Sequence, residues 1–127
     1  LWCGFVLRGL GDGVFFAGDT GFDGGQPFRR VAERHGPLGL ALLPIGAYEP
    51  RWFMADQHMN PADAVQGFKL LGARQALGYH WGTFKLTDEG VGHPLMDLAA
   101  ALATDDVEPT RFVGARPGLV WSAAAEA

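Results

Sequence analysis

The sequence predicts an α/β fold. Apolar runs of strand length recur along the chain, amphipathic stretches with helix-start and helix-stop residues lie between them, and turns rich in Gly and Pro separate the two. An opening hairpin followed by alternating strands and helices is the pattern of a layered sheet with helices packed on it.

The hairpin is predicted from apolar residues 2 to 8 and 14 to 17, separated by Gly9, Gly11 and Asp12-Gly13, which supply the permissive backbone a turn needs. A helix follows from Pro27, with Phe28, Val31 and Ala32 at helical spacing, Arg34 and His35 in its last turn and Gly36-Pro37 as its stop. Leu38 to Ile45 is a nearly continuous apolar run of the sort buried on both faces, and it leaves into a loop at 46 to 58. Asn60, Pro61 and Asp63 then place a capping residue, a first-turn proline and an acidic third position ahead of Ala64, Phe68 and Leu71, so a second helix begins at about Pro61. Gln75 to Tyr79 reads as a short strand presenting His80, and Leu95, Leu98, Ala99 and Leu102 as a third amphipathic helix. Arg111 to Val113 and Leu119 to Trp121, turned at Arg116-Pro117-Gly118, are expected to close the chain as a hairpin, with residues 123 to 127 as a frayed Ala-rich tail.

At 127 residues, with 48% hydrophobic and 19% charged residues, the chain is one folded domain at most. A formal charge of -4, with no run of Lys or Arg, offers nothing to nucleic acid or an anionic membrane. Cys3 is the sole cysteine, which excludes an internal disulfide framework and a thiolate zinc site. No apolar run approaches the roughly 18 residues of a transmembrane helix. The chain opens as a strand, without Met or a basic leader segment, so it is expected to be a C-terminal fragment. A cytoplasmic or peripheral membrane location is favoured, and any targeting signal would lie upstream.

In layered α/β folds ligands gather beyond the carboxyl ends of strands. Asp19, the 46 to 58 loop and His80 all meet that criterion. An aspartate and an imidazole there suit Zn²⁺ or a similar borderline ion. Taken singly, each has another reading: an Asx-type turn for Asp19, a packed histidine beside Trp81 for His80, and a solvent-facing residue next to a capped helix for His58.

Four ordered words carry a resemblance. Phe15-Phe16-Ala17-Gly18-Asp19-Thr20-Gly21-Phe22, Leu43-Pro44-Ile45-Gly46-Ala47-Tyr48-Glu49-Pro50-Arg51-Trp52-Phe53-Met54, Gln57-His58-Met59-Asn60-Pro61 and His80-Trp81-Gly82-Thr83-Phe84 closely resemble one branch of the metallo-β-lactamase superfamily. That branch contains the N-acyl-phosphatidylethanolamine-hydrolysing phospholipase D and its bacterial relatives. The resemblance implies the C-terminal half of a four-layer αββα sandwich, residues 1 to 127 forming part of one domain whose N-terminal half is absent. It makes Asp19 a metal-bridging carboxylate and His80 a metal ligand. Gln57 and His58 become candidates to contact substrate phosphate or support the nucleophilic water. Tyr48, Glu49, Arg51 and Trp52 become residues of the substrate loop or supports behind the metal ligands, with Arg51 and Glu49 as charges that hold the loop. The His-x-His-x-Asp-His word that supplies most ligands in this superfamily would lie upstream of Leu1, and His35 and His58 are not expected to replace it. No role is read for His93.

For the intact enzyme the resemblance implies a phospholipase D-like phosphodiesterase that uses water activated by two ions, Zn²⁺ or another divalent metal, on a phospholipid or other small-molecule substrate. The fragment alone is expected to be inactive. Trp52, Phe53 and Met54 are read as ordinary loop packing, with contact to an acyl chain as the alternative. Two rivals come from other classes. One is a non-catalytic half-domain or interaction module, and the other is an aspartic protease built on Asp19-Thr20-Gly21. Three helices argue against the protease.

Overall fold

The computed structural model describes residues 3–9 and 11–122, and these build one five-stranded sheet in the order β1-β2-β3-β4-β5. β1 (Phe5–Leu7) and β2 (Val14–Phe16) form the antiparallel hairpin, with Phe5 opposite Phe16. β3 (Leu40–Pro44), β4 (Gln75–Tyr79) and β5 (Phe112–Gly114) then add in parallel. Each parallel pair needs a crossover connection, and the helices supply it. These are α1 (Gln26–His35) between β2 and β3, α3 (Pro61–Leu71) between β3 and β4, and α4 (His93–Thr104) between β4 and β5, while the short α2 (Arg51–Met54) precedes α3. Among the described residues no helix is long and apolar enough to cross a membrane.

Side chains alternate across a strand, so the register sorts the sheet into two faces. Val6, Phe15, Ala41, Ala76 and Phe112 align in one row and pack with Phe28 of α1, Val65 and Phe68 of α3, and Leu98 and Leu102 of α4. Phe68 is fully buried, meets Phe112 edge-on at 5.6 Å and carries the Arg111 guanidinium over its ring at 5.1 Å. Burying one such side chain contributes about 1.5–3 kcal/mol. The opposite face carries Phe5, Phe16, Leu42, Leu77 and Val113 in the neighbouring row. There Phe5 is 56% exposed and the other four are only part-buried.

The start of α3 follows its sequence closely. Asn60 Oδ1 accepts from Asp63 N–H at 2.8 Å, Asp63 Oδ2 accepts from Asn60 N–H at 3.3 Å, and Pro61 occupies the first turn. Such a box satisfies two amides that the helix itself leaves unpaired.

Three expectations are corrected. The segment at 46 to 58 is not all loop, because Arg51–Met54 forms a helical turn too short to show a period in sequence. The closing hairpin does not form. Leu119 N–H donates to Arg116 O at 3.0 Å, so the turn is present, but residues 119 to 122 are not strand. Leu119 and Val120 are 48% and 93% exposed and have no layer to pack on, whereas β5 finds its partner in β4. The first strand is shorter than residues 2 to 8; Leu1, Trp2 and the tail at 123 to 127 lie outside the described residues.

Candidate metal centre

Asp19 and His80 leave the carboxyl ends of strands two places apart in the sheet. Ala17 N–H still donates to Leu42 O at 3.1 Å, so the β2 ladder carries the chain up to Gly18-Asp19. Ile45 N–H donates to Tyr79 O at 2.9 Å, and His80 follows at once. Between them β3 continues into Ile45-Gly46, where the backbone passes so close to His80 that a Cβ on Gly46 would collide with the His80 carbonyl oxygen. His80 and Ala47 have φ of 65° and 63°, left-handed values that cost a non-glycine residue roughly 1–2 kcal/mol. Backbone strain of this kind collects at functional sites.

The fold brings a third residue to this end. Ligand atoms of Asp19, His58 and His80 all lie within 4.8 Å of one another. His58 Nδ1 is 3.0 Å from Asp19 Oδ1 and His80 Nε2 is 3.8 Å from Asp19 Oδ2, so each carboxylate oxygen faces one imidazole. The two rings stack at 5.7 Å and 25°. A plain ion pair would align the ring N–H on the carboxylate. His58 Nδ1 is buried, yet it makes no hydrogen bond to Asp19 or to any other described group. A buried imidazole nitrogen with no aligned hydrogen bond, beside a carboxylate and a second imidazole, is the donor set a divalent ion such as Zn²⁺ takes, and these three residues would hold it. His80 Nδ1 lies 3.4 Å from Gly46 O; with the proton on Nδ1, Nε2 is left with its lone pair toward Asp19. The aspartic-protease reading of Asp19 finds no support here, because its carboxylate faces imidazoles rather than a second carboxylate.

His58 reaches the centre through contacts its own surroundings in sequence do not announce. Arg51 Nη1 donates to His58 O at 3.0 Å and Arg51 Nη2 to Asp63 Oδ2 at 2.7 Å, tying α2, the His58 peptide and the α3 cap together. Glu49 Oε2 accepts from Arg51 N–H at 3.1 Å. Both charges therefore hold the loop. Tyr48 points elsewhere: it is buried, and its hydroxyl donates to Asp97 on α4. Burial first, and then the Asp97 carboxylate, push its ionisation far above the ordinary phenol value. Gln57 is exposed after α2, and its side chain makes no hydrogen bond among the described residues. Trp52 and Phe53 are 86% and 62% exposed and touch each other edge-on, which overturns the expectation that they pack inside the loop.

Glu89 was not legible as part of this region. Its Oε1 accepts from Ala47 N–H at 2.8 Å and its Oε2 from Glu49 N–H at 3.0 Å, so one carboxylate clasps the turn that carries Gly46 against His80. Burial opposes its charge, but the Thr87 hydroxyl and the backbone N–H groups outweigh burial and hold the carboxyl below its usual value. Sequence separation of about forty residues hid it; the acidic Asp88-Glu89 pair in a glycine-rich loop was the signal available. The role of Tyr79 has no signal in the sequence beyond its place directly before His80. Its hydroxyl donates to Gly18 O, and burial followed by the charge of Asp19 raises it well above the ordinary phenol value.

Residues 1–81 match the model of the Beta-lactamase superfamily domain. Over 125 residues, 97% of this chain, it is 42% identical to the N-acyl-phosphatidylethanolamine-hydrolyzing phospholipase D 1 of Caenorhabditis elegans. Over 91 residues, 70% of this chain, it is 46% identical to the mitochondrial N-acyl-phosphatidylethanolamine-hydrolyzing phospholipase D of Saccharomyces cerevisiae. A metal-dependent hydrolase of Opitutus terrae is 39% identical over 80 residues, 63% of the chain. These matches span 35%, 19% and 30% of the three relatives, well under half of each.

Proposed function

We propose, since this chain belongs to the β-lactamase superfamily domain family, that it forms the C-terminal part of a metal-dependent hydrolase and supplies Asp19, His58 and His80 to its metal centre. The observation that carries the reading is the convergence of those three residues at the sheet end, with His58 Nδ1 buried beside the Asp19 carboxylate yet without an aligned hydrogen bond. The part-exposed apolar row Phe5, Phe16, Leu42, Leu77 and Val113 supports a missing second sheet, which would complete an αββα sandwich and bring the remaining ligands. The small share of each relative that the chain spans points the same way.

Within the centre Asp19 offers one oxygen to each imidazole side, an arrangement suited to a carboxylate shared by two cations. Bound divalent ions, Zn²⁺ in the first instance, would supply charge to a phosphoryl oxygen and make water acidic enough to attack near neutral pH. Arg51 fixes the His58 peptide, and Glu89 and Gly46 fix the backbone that aims His80. Together they hold the donor atoms ready before substrate arrives, which lowers the reorganisation needed at the moment of reaction.

The substrate class favoured is a phosphodiester, in particular the head-group ester of an N-acylated phospholipid, as the names of the similar relatives indicate. The test is a panel of phosphodiesters, carboxylic esters and amides given to the full protein that carries this chain. Phosphodiester cleavage that stops with a chelator and returns with added metal is the expected result. Turnover indifferent to the chelator would contradict the metal-centre reading, and cleavage of esters or amides alone would contradict the substrate class.

A further inference from the structure

The ladder through β3 brings Asp19 and His80 to the same end of the sheet, but β2 and β4 are not themselves hydrogen-bonded neighbours, so no backbone bond joins the two directly. One side chain spans that gap. Tyr79, the last residue of β4, directly precedes His80, and its hydroxyl donates to the carbonyl oxygen of Gly18, which directly precedes Asp19. Its ring stacks on Phe16, the last residue of β2, at 5.2 Å and 26°, so the hydroxyl is delivered from a fixed plane. Gly18 is the flexible link on the receiving side. Its φ of 73° is left-handed, and a Cβ there would lie 2.8 Å from Cys3 O, so this peptide has no side chain of its own to anchor it.

We propose that Tyr79 is a positioning residue for the metal centre: its hydroxyl, by holding the Gly18 peptide, sets the Asp19 carboxylate at the spacing that His58 and His80 require. The proposal rests on the reading of Asp19, His58 and His80 as metal ligands. A tyrosine that merely satisfied its own buried hydroxyl would contribute to folding and leave metal affinity alone. Groups that orient ligands typically change metal affinity by about 10- to 100-fold when removed.

The experiment is a titration of the metal-free full protein with Co²⁺, followed by calorimetry and by the visible spectrum of the bound ion, for wild type and Tyr79→Phe. The phenylalanine keeps the ring and its stacking on Phe16 and removes only the donor. Binding weakened by about tenfold or more, with a shifted Co²⁺ spectrum, is the expected result. Unchanged affinity and spectrum would overturn the proposal whatever the melting temperature of the variant. A wild-type protein that binds no Co²⁺ would instead overturn the ligand assignment itself, and the two failures are told apart by the wild-type titration.

Discussion

The two faces of the sheet differ in how complete they are. On one, Phe15, Ala41, Ala76 and Phe112 are covered by α1, α3 and α4, and that core closes without help. On the other, Phe16, Leu42, Leu77 and Val113 are as apolar as their neighbours but remain part-exposed. Strands buried on both faces read as continuous apolar runs, whereas a sheet with one face in water reads as an alternation. The Leu40–Pro44 run is of the first kind, so β3 carries the composition of a central strand in a two-sided core while only one side is built. The same asymmetry marks the proposed metal centre, where Asp19, His58 and His80 converge and the two ions proposed for it would need further ligands.

The largest effect expected from breaking this comparison is on the covered side. Phe68→Ala should cost about 3–5 kcal/mol in a denaturant melt, because the cavity left between α3 and β5 has little freedom to collapse. Leu42→Ala or Leu77→Ala, on the open side, sharpens the contrast. In the full protein either should cost about 2–5 kcal/mol if a second layer covers this face. A cost within about 0.5 kcal/mol would mean that the face meets water. Arg51→Ala comes next. Loss of its bonds to Asp63 and to the His58 carbonyl should remove about 1–2 kcal/mol of stability and weaken metal binding in calorimetry. Retained affinity would show that His58 is held by something else.

The smallest effect concerns Glu89 and pH. Its carboxyl is held below the ordinary glutamate value in the folded chain, so the stability it adds is complete above that ordinary value and is lost as pH falls from there through the lower folded value. Melting temperatures of wild type and Glu89→Gln measured from about pH 6 to about pH 3 should therefore converge at the acid end. A constant gap across that range would mean that the charge of Glu89 adds nothing to stability.

Local chemistry was readable where the interaction was local. The α3 cap, with Asn60, Pro61 and Asp63 within four positions, is such a case, and so is the strand that delivers His80. Asp19 and His80 were legible because each ends an apolar run. His58 was harder. It sits before a helix whose sequence explains the helix alone, and only the return of Arg51 onto its carbonyl and onto Asp63 draws it inward. The contact Tyr48 makes was not readable, because a loop neighbour of the site can turn its side chain onto α4, and Asp97 is far off in sequence. The closing hairpin failed although β5, as the last strand of the sheet, keeps its outer edge open: Leu119 and Val120 stay 48% and 93% exposed, so pairing there would gain little burial.

The three-residue centre is tested most directly by the metal content and affinity of the full protein compared with Asp19→Asn, His58→Ala and His80→Ala. Each variant is expected to stay folded and to lose bound metal, with His58→Ala as clearly affected as the other two. Wild-type stoichiometry and affinity in His58→Ala would contradict the three-residue centre.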